Sequence, residues 1–374
     1  MASSSPGGIR GEVGETSSSA TKEVQIDNIA IETTKLEERF KIVMKARKNA
    51  SMAKLYKKVE KNIKELRECF EEDVTKKYDD EALAWLLFGD GCAILQYIYC
   101  ATDPDNNKFK ELSIKHDSVA FGHQDLFFLE NQLPYCLLKW LMSLSKMKKE
   151  LEKSIKKFIN EFVGKSQDQE ILVEIEPESI HLLDKQRTSL LAKHGGQRVP
   201  KMEPKSTQKS NQNVNWQSYR NVQELQATGI YLKRSEDDSL SLSDIYFSTL
   251  FPCFGFLWLP PIKVDDSTGP KFFNLIAYEM CPDFDNDYGV TSYISFLDSL
   301  IDEANDVKEL RKVWVLHNLL GSNQEVAQLF NEIGTDLVPN LEIFSKVKSS
   351  RQKYYKNKFL TWTSQIIHDH FSSP

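Results

Sequence analysis

Asp125-Leu126-Phe127-Phe128-Leu129-Glu130-Asn131-Gln132-Leu133-Pro134 sets three polar side chains between apolar runs. If Glu130, Asn131 and Gln132 are buried, each must find hydrogen-bond partners, because an orphaned polar group in an apolar interior costs about 1–3 kcal/mol. The apolar content from Leu126 to Leu144 predicts a buried helix. Asn131 suits a helix cap, and Pro134 is tolerated in a first turn. A Lys-rich amphipathic stretch, Lys146 to Phe162, follows.

Working outward, the dominant period is helical. Met52, Leu55, Tyr56, Val59, Ile63, Leu66 and Phe70 recur at three- and four-residue steps, with Lys and Glu between them. That pattern puts one apolar stripe on a long solvated helix. Glu81 to Tyr99 is apolar nearly all round and predicts a buried helix. Tyr293, Leu297, Leu300, Ile301, Val307 and Leu310 mark another helix face. Gly321 then suits a left-handed helix stop, and Ser322 with Glu325 has capping-box spacing. Strand signals are confined to Gly229–Leu232, Phe256–Leu259 and Lys271–Phe273. The expected architecture is mainly α: a single α-rich globular domain with a small antiparallel β element near the middle. Residues 1–30 read as a disordered tail and 35–374 as the domain. Residues 193–219, rich in Gly, Pro, Ser, Gln and Asn, read as a flexible internal loop.

Composition narrows the function classes. In 374 residues, 40% hydrophobic and 11% aromatic content is enough for a substantial core. A net charge of −6 argues against a duplex nucleic-acid partner, which demands a strong basic excess. The six cysteines form no C-x-x-C pair and read as buried, reduced thiols. Met1 to Lys22 carries no apolar signal run, and Ala2 stands where myristoylation requires glycine. Ile245 to Ile262 has no charge, yet Pro252, Gly255 and Pro260-Pro261 would break a spanning helix, so buried strands joined by a turn suit it better.

Reactive motifs fail one by one. Gly164-Lys165-Ser166 ends like a phosphate loop, but Ile159 stands where that loop needs glycine. Asp283-Phe284-Asp285-Asn286-Asp287-Tyr288-Gly289 alternates carboxylates as calcium loops do, but Tyr288 and Ile294 replace the required Gly and Glu. A solvated loop is the reading there. No histidine spacing suits zinc, and neither a nucleophile elbow nor a dinucleotide-binding glycine pattern occurs. No cofactor, metal or catalytic residue is assigned. Lys346, Lys348, Arg351, Lys353, Lys356 and Lys358 interleave with Tyr354, Tyr355, Phe359 and Trp362. This reads as a helix with a solvated basic face and an aromatic core face; an anionic membrane surface or a nucleic-acid patch is the alternative.

Three blocks carry a resemblance. Asp90-Gly91-Cys92-Ala93-Ile94-Leu95 is similar to a D-G-C-F-I-L helix. Asp125 to Pro134 resembles D-x-x-L-L-E-N-Q-I-P, through Asp125, Leu129, Glu130, Asn131, Gln132 and Pro134. Leu259-Pro260-Pro261-Ile262 with Phe273-Asn274-Leu275-Ile276-Ala277-Tyr278-Glu279 resembles I-P-P-I and R-N-L-I-A-Y-E. Glu224-Leu225 and Gly229-Ile230 fit an A-x-E-L-x-x-A-G-V element. Together these resemble the plant family known as domain of unknown function 247 (DUF247, also UPF0481), from about Phe40 to the end.

The motif residues read as structural, with Asn274 and Glu279 tying backbone across the small sheet; ligand binding is the sharper alternative. The family pattern also holds I-P-x-x-L and I-G-P-Y-H-H-G elements, which have no counterpart before Phe40, and a carboxyl-terminal transmembrane helix, which would follow Pro374. The resemblance therefore implies membrane association through a helix this chain does not contain; the chain as given reads as soluble and cytoplasmic. Because some grass members resemble self-incompatibility determinants, it also implies recognition of an unknown protein partner. The rival expectation is an enzyme using Glu130 or Glu279 as general base, which would need a deep pocket around that carboxylate.

Overall fold

A computed structural model describes residues 50–105, 107–112, 114, 116–163, 179–192, 221–235, 241–250 and 254–356. The expected tail (1–30), internal loop (193–219), Gly164-Lys165-Ser166 and the basic stretch past 356 lie outside the described residues. The chain separates into two compact units, Met1–Ala93 and Ile94–Pro374.

In the first unit, α1 (Ala50–Lys61), α2 (Ile63–Arg67) and α3 (Glu72–Thr75) precede α4 (Asp80–Ala101), which starts there and continues into the second. Leu55, Tyr56, Val59, Ile63 and Leu66 are all buried, as their spacing predicts. One long helix becomes two because the Asn62 side chain donates to Lys58 O at 2.6 Å, a local bond that competes with the helix ladder. Arg67 then gathers the following turn, donating to Thr75 O, Tyr78 O and Asp80 Oδ1 at 2.9, 3.1 and 2.8 Å. Tyr56 stacks on Trp85 with ring centroids 3.7 Å apart. By length and composition α4 could cross a membrane, but half of its most apolar window is buried, and a core helix passes the same test.

The second unit holds α5 (Asn107–Glu111), α6 (His116–Asp125), a 3-10 turn (Leu129–Asn131), α7 (Tyr135–Ser143), α8 (Lys148–Val163), α9 (Leu182–Leu191) and α10 (Val222–Ala227). Strands β1 (Ile230–Arg234), β2 (Tyr246–Leu250), β3 (Phe254–Leu259) and β4 (Ile262–Val264) follow. Then come α11 (Thr268–Glu279), α12 (Gly289–Asp298), α13 (Ala304–Lys312), β5 (Leu316–Asn318), α14 (Asn323–Ile333) and α15 (Ser345–Lys356). The fold is mainly α.

The uncharged run 245–262 supplies β2, β3 and the start of β4, with 251–253 outside the described residues. The three-stranded sheet is mixed, unlike the antiparallel element expected. Its order is β1-β3-β2, because β3 returns antiparallel to β2 and inserts beside β1, with which it runs parallel. A second, parallel pair joins β4 and β5.

Four other local readings need correction. Lys271–Phe273 lies in α11, where Phe272, Leu275, Ile276 and Glu279 are buried and Phe273 is exposed; a 3.6-residue period beats an alternating one. The face from Tyr293 to Leu310 is two helices, parted where Glu303 and Asp306 form a capping box. Gly321 follows β5 and stops no helix, although Ser322 Oγ does accept from Glu325 N at 3.2 Å while Glu325 Oε2 takes Gly321 N at 3.1 Å. Of the described thiols only Cys100 is buried; Cys69 is exposed, and Cys92, Cys136 and Cys281 are half-buried.

The motif glycine Gly229 carries a positive φ of 80° at the α10–β1 turn. Its carbonyl accepts from Gly255 N at 3.0 Å and from Tyr354 Oη at 3.3 Å, tying turn, sheet and α15 together. Gly229→Ala must force a side chain into left-handed backbone. A loss of about 1–2 kcal/mol is expected, measured as a lower urea midpoint with unchanged slope.

Candidate functional site

One polar motif residue, Glu279, lies where α9, α11 and α12 meet. At the end of α11, Glu279 is fully buried and its carboxylate accepts four hydrogen bonds. Val290 N donates to Oε1 at 3.0 Å; Thr291 N and Oγ1 donate to Oε2 at 2.8 and 2.7 Å. Arg187 Nε, from α9, donates to Oε1 at 2.6 Å.

These are the starting amides of α12, whose N-cap, Tyr288, sits at φ 54° and offers no side-chain cap. Asp287 Oδ1 takes the preceding amide, Gly289 N, at 3.1 Å and also pairs with the Arg187 guanidinium. Carboxylates therefore satisfy all three starting N–H groups, where the helix dipole favours negative charge. Asn286 holds the connecting loop, donating to Glu279 O at 2.8 Å and accepting from Tyr288 N at 2.7 Å. The acidic loop read as solvated is thus partly engaged, through Asn286 and Asp287.

Electrostatics follow the geometry. Burial alone would lower the Arg187 pKa, but Glu279 and Asp287 outweigh it and hold the guanidinium firmly protonated. Burial pushes His181 down to about 4 against the opposing pull of Asp184. Neutral His181 caps α9, its Nδ1 accepting from Asp184 N at 3.0 Å. Its ring meets that of Tyr278 edge-on at 4.6 Å, and Tyr278 stacks on Phe284 at 4.2 Å. Burial, then the nearby Asp184 charge, raise the Tyr278 phenol well above its usual range.

The Glu130-Asn131-Gln132 triplet is not one clamped unit. Glu130 and Asn131 are exposed, and only Gln132 is half-buried. Gln132 Nε2 donates to Leu126 O and Phe128 O at 3.0 and 2.7 Å, while Oε1 accepts Leu183 N of α9 at 3.0 Å. Asn131 caps no helix; its side chain donates to Asp125 O at 3.0 Å. The helix expected over Leu126–Leu144 is broken between Asp125 and Tyr135, because these side-chain bonds to backbone replace the ladder. Pro134 is the N-cap residue of α7.

Asn274 likewise ties backbone, though from α11 and not across the sheet. It accepts Leu129 N and donates to Pro270 O, both at 2.8 Å. Among the remaining motif positions, Gly91 is buried within α4, beside half-buried Asp90 and Cys92. Burial pushes the Cys92 thiol up to about 12, which leaves it a poor nucleophile. Glu224 lies exposed in the first turn of α10, buried Pro260 follows the last residue of β3, and Ala277 is exposed.

A family model described as DUF247, plant protein of unknown function, matches residues 22–374. The chain belongs to the DUF247 family. Among curated relatives, the UPF0481 protein At3g47200 of Arabidopsis thaliana is 28% identical over 157 residues, 40% of this chain and 30% of that protein. The putative UPF0481 protein At3g02645, also of Arabidopsis thaliana, is 26% identical over 114 residues, 30% of this chain and 21% of that one. The matches thus span about a third or less of those relatives' lengths. No solved structure matches the chain.

Sequence reasoning on this DUF247 chain missed Arg187, Thr291 and Asp306. Fully buried Asp306 accepts Gln223 N, Asp302 N and Glu303 N at 3.2, 3.0 and 3.1 Å. Asp306 could have been found from its capping-box spacing to Glu303. Arg187 stands among polar residues of α9 with no motif around it.

Two outcomes follow. Gln132→Ala should cost roughly 2–3 kcal/mol, since Leu183 N and two carbonyls lose their partner, whereas exposed Glu130→Ala should stay within about 0.5 kcal/mol; urea titration measures both. For His181, the unfolded imidazole binds a proton below its ordinary pKa of 6.5 and the folded one only below about 4. Stability contributed by this group is complete above 6.5 and falls as pH drops toward 4, by up to roughly 3 kcal/mol. Because asparagine caps without titrating, His181→Asn should flatten that part of the stability–pH curve.

Proposed function

We propose that this DUF247 chain is a non-catalytic recognition protein, a scaffold that presents surface to a protein partner. The observation that supports this most is the occupancy of Glu279: its motif carboxylate is fully buried and engaged by four donors. A general base needs a free lone pair within reach of a substrate proton. Glu130 is solvent-exposed and Cys92 is a poor nucleophile, so the other motif groups lend an enzyme no better support.

Surface anchors are present. Trp314 is 71% exposed in left-handed backbone at φ 60°, and Val338 is 66% exposed. Exposed tryptophans are favoured binding anchors. In this reading recognition needs no membrane contact by the described residues; attachment of the kind the family pattern implies would come from outside them.

The test is affinity capture from plant extract with the intact chain and a Trp314→Asn variant, which keeps the left-handed backbone accessible and removes the ring. The expected result is a partner recovered by the wild-type chain and reduced about tenfold for the variant, the range of a typical hot spot. Failure to retain any protein above an unrelated bait, or turnover of a substrate that Glu279→Gln abolishes in a folded variant, would contradict the reading.

A further inference from the structure

The three-stranded sheet has two edges, β1 and β2, because β3 lies between them. Exposed Lys233 and Arg234 guard the end of β1, charges of the kind that oppose edge-to-edge pairing. Strand β2 is unguarded: Tyr246-Phe247-Ser248-Thr249-Leu250 holds no charge and no proline, and it pairs with β3 without a bulge. Tyr246 and Leu250 are 43% and 58% exposed, and Ser248 and Thr249 are exposed as well. Only Phe247 is half-buried, where Tyr354 of α15 meets its ring at 5.9 Å.

Alternation along the ladder shows which backbone groups of β2 stay open. Gly255 N donates to Gly229 O, and Leu259 O accepts Ser235 N, so Gly255, Leu257 and Leu259 turn their backbone toward β1. Phe254, Phe256 and Trp258 therefore turn theirs toward β2, where they face Leu250, Ser248 and Tyr246. The N–H and C=O groups of Phe247 and Thr249 point the other way, off the sheet. They make no backbone hydrogen bond among the described residues.

We propose that the β2 edge is a homodimer interface, at which two copies of this chain pair β2 antiparallel about a two-fold axis at Ser248. Phe247 of one copy then exchanges backbone bonds with Thr249 of the other, so every open group finds a partner. This register uses the whole strand. It sets exposed Tyr246 of each copy beside exposed Leu250 of the other, in the non-hydrogen-bonded pairs whose side chains approach closest. Ser248 meets its own copy on the axis. Its Oγ already accepts Trp258 Nε1 at 2.8 Å, and its hydroxyl proton is left to bridge to the second Ser248.

Charge selects a second copy over a different partner. An uncharged edge offers an acidic or basic strand nothing to pair with, whereas a chain of net charge −6 can meet its copy here without opposing like charges. One strand pair buries less than a standard interface of about 1,600 Å², so the dimer is weak, with a Kd on the order of 10–100 µM. Dimerisation through β2 stands independently of partner capture through Trp314.

The test is sedimentation equilibrium of the intact chain over a range of concentration. The wild-type chain should pass from monomer to dimer between about 1 µM and 500 µM. Thr249→Pro removes an outward N–H, the edge position at which proline is tolerated, so it should keep the Tm and weaken dimerisation about tenfold or more. Ser248→Lys puts two cations on the axis and should leave a monomer, as should Ser248→Glu. An equimolar mixture of Ser248→Lys and Ser248→Glu should recover a dimer at least as tight as wild type, which decides the outcome even where Thr249→Pro does not fold.

A wild-type chain still monomeric at about 500 µM would overturn the proposal and leave the edge to an extended strand of a different protein. A dimer that both charged variants retain would put the interface elsewhere and overturn it as well. Charged variants that stay monomeric when mixed would overturn the antiparallel register at Ser248.

Discussion

Three helices of the second unit, α9, α11 and α12, converge on the buried carboxylate of Glu279. A carboxylate taken out of water loses several kcal/mol of hydration after relaxation, and only a full set of donors offsets that. Glu279 obtains such a set from three sources: a guanidinium on α9, two backbone amides at the start of α12, and the Thr291 hydroxyl. The same contacts satisfy helix-start amides that the left-handed Tyr288 leaves uncapped. One charge thereby fixes the mutual position of three helices. Removing it would strand a buried cation and orphan amides together.

The smaller polar motifs repeat that logic. Gln132 and Asn274 both bond to backbone in segments that have left regular structure, the turn after α6 and the 3-10 turn at Leu129. Buried irregular backbone cannot satisfy itself, so side-chain amides do it. On the recognition reading proposed above, a scaffold of this kind would present fixed surface groups and lose less ordering entropy on binding.

Much of the fold was legible in the sequence wherever the apolar period was long. The stripe from Leu55 to Leu66 and the all-round apolar α4 needed only side-chain spacing. Legibility failed where a side chain bonded to nearby backbone. Asn62 split one helix, the Gln132 segment split another, and Asp306 with Glu303 split a third. The strand reading at Lys271–Phe273 failed because three residues cannot separate a period of two from one of 3.6. At the carboxyl side, α15 kept Tyr354 inward as expected, but Arg351 is buried as well. Of the site itself, Glu279 could be named from its motif. Its partner Arg187 could not, because 92 residues separate them and only folding brings them together.

The central claim is that Glu279 serves as a shared cap and counter-ion. The most direct measurement is a double-mutant cycle of Arg187→Met and Glu279→Leu, read by urea denaturation of the intact chain. Each single variant should lose about 3–5 kcal/mol, as when one partner of a buried pair is removed. The double variant should recover at least about 1 kcal/mol of the summed loss yet stay below wild type, because Val290 N and Thr291 N remain without an acceptor. Single variants within about 0.5 kcal/mol of wild type, or strictly additive losses, would show that the charge does not hold these helices together.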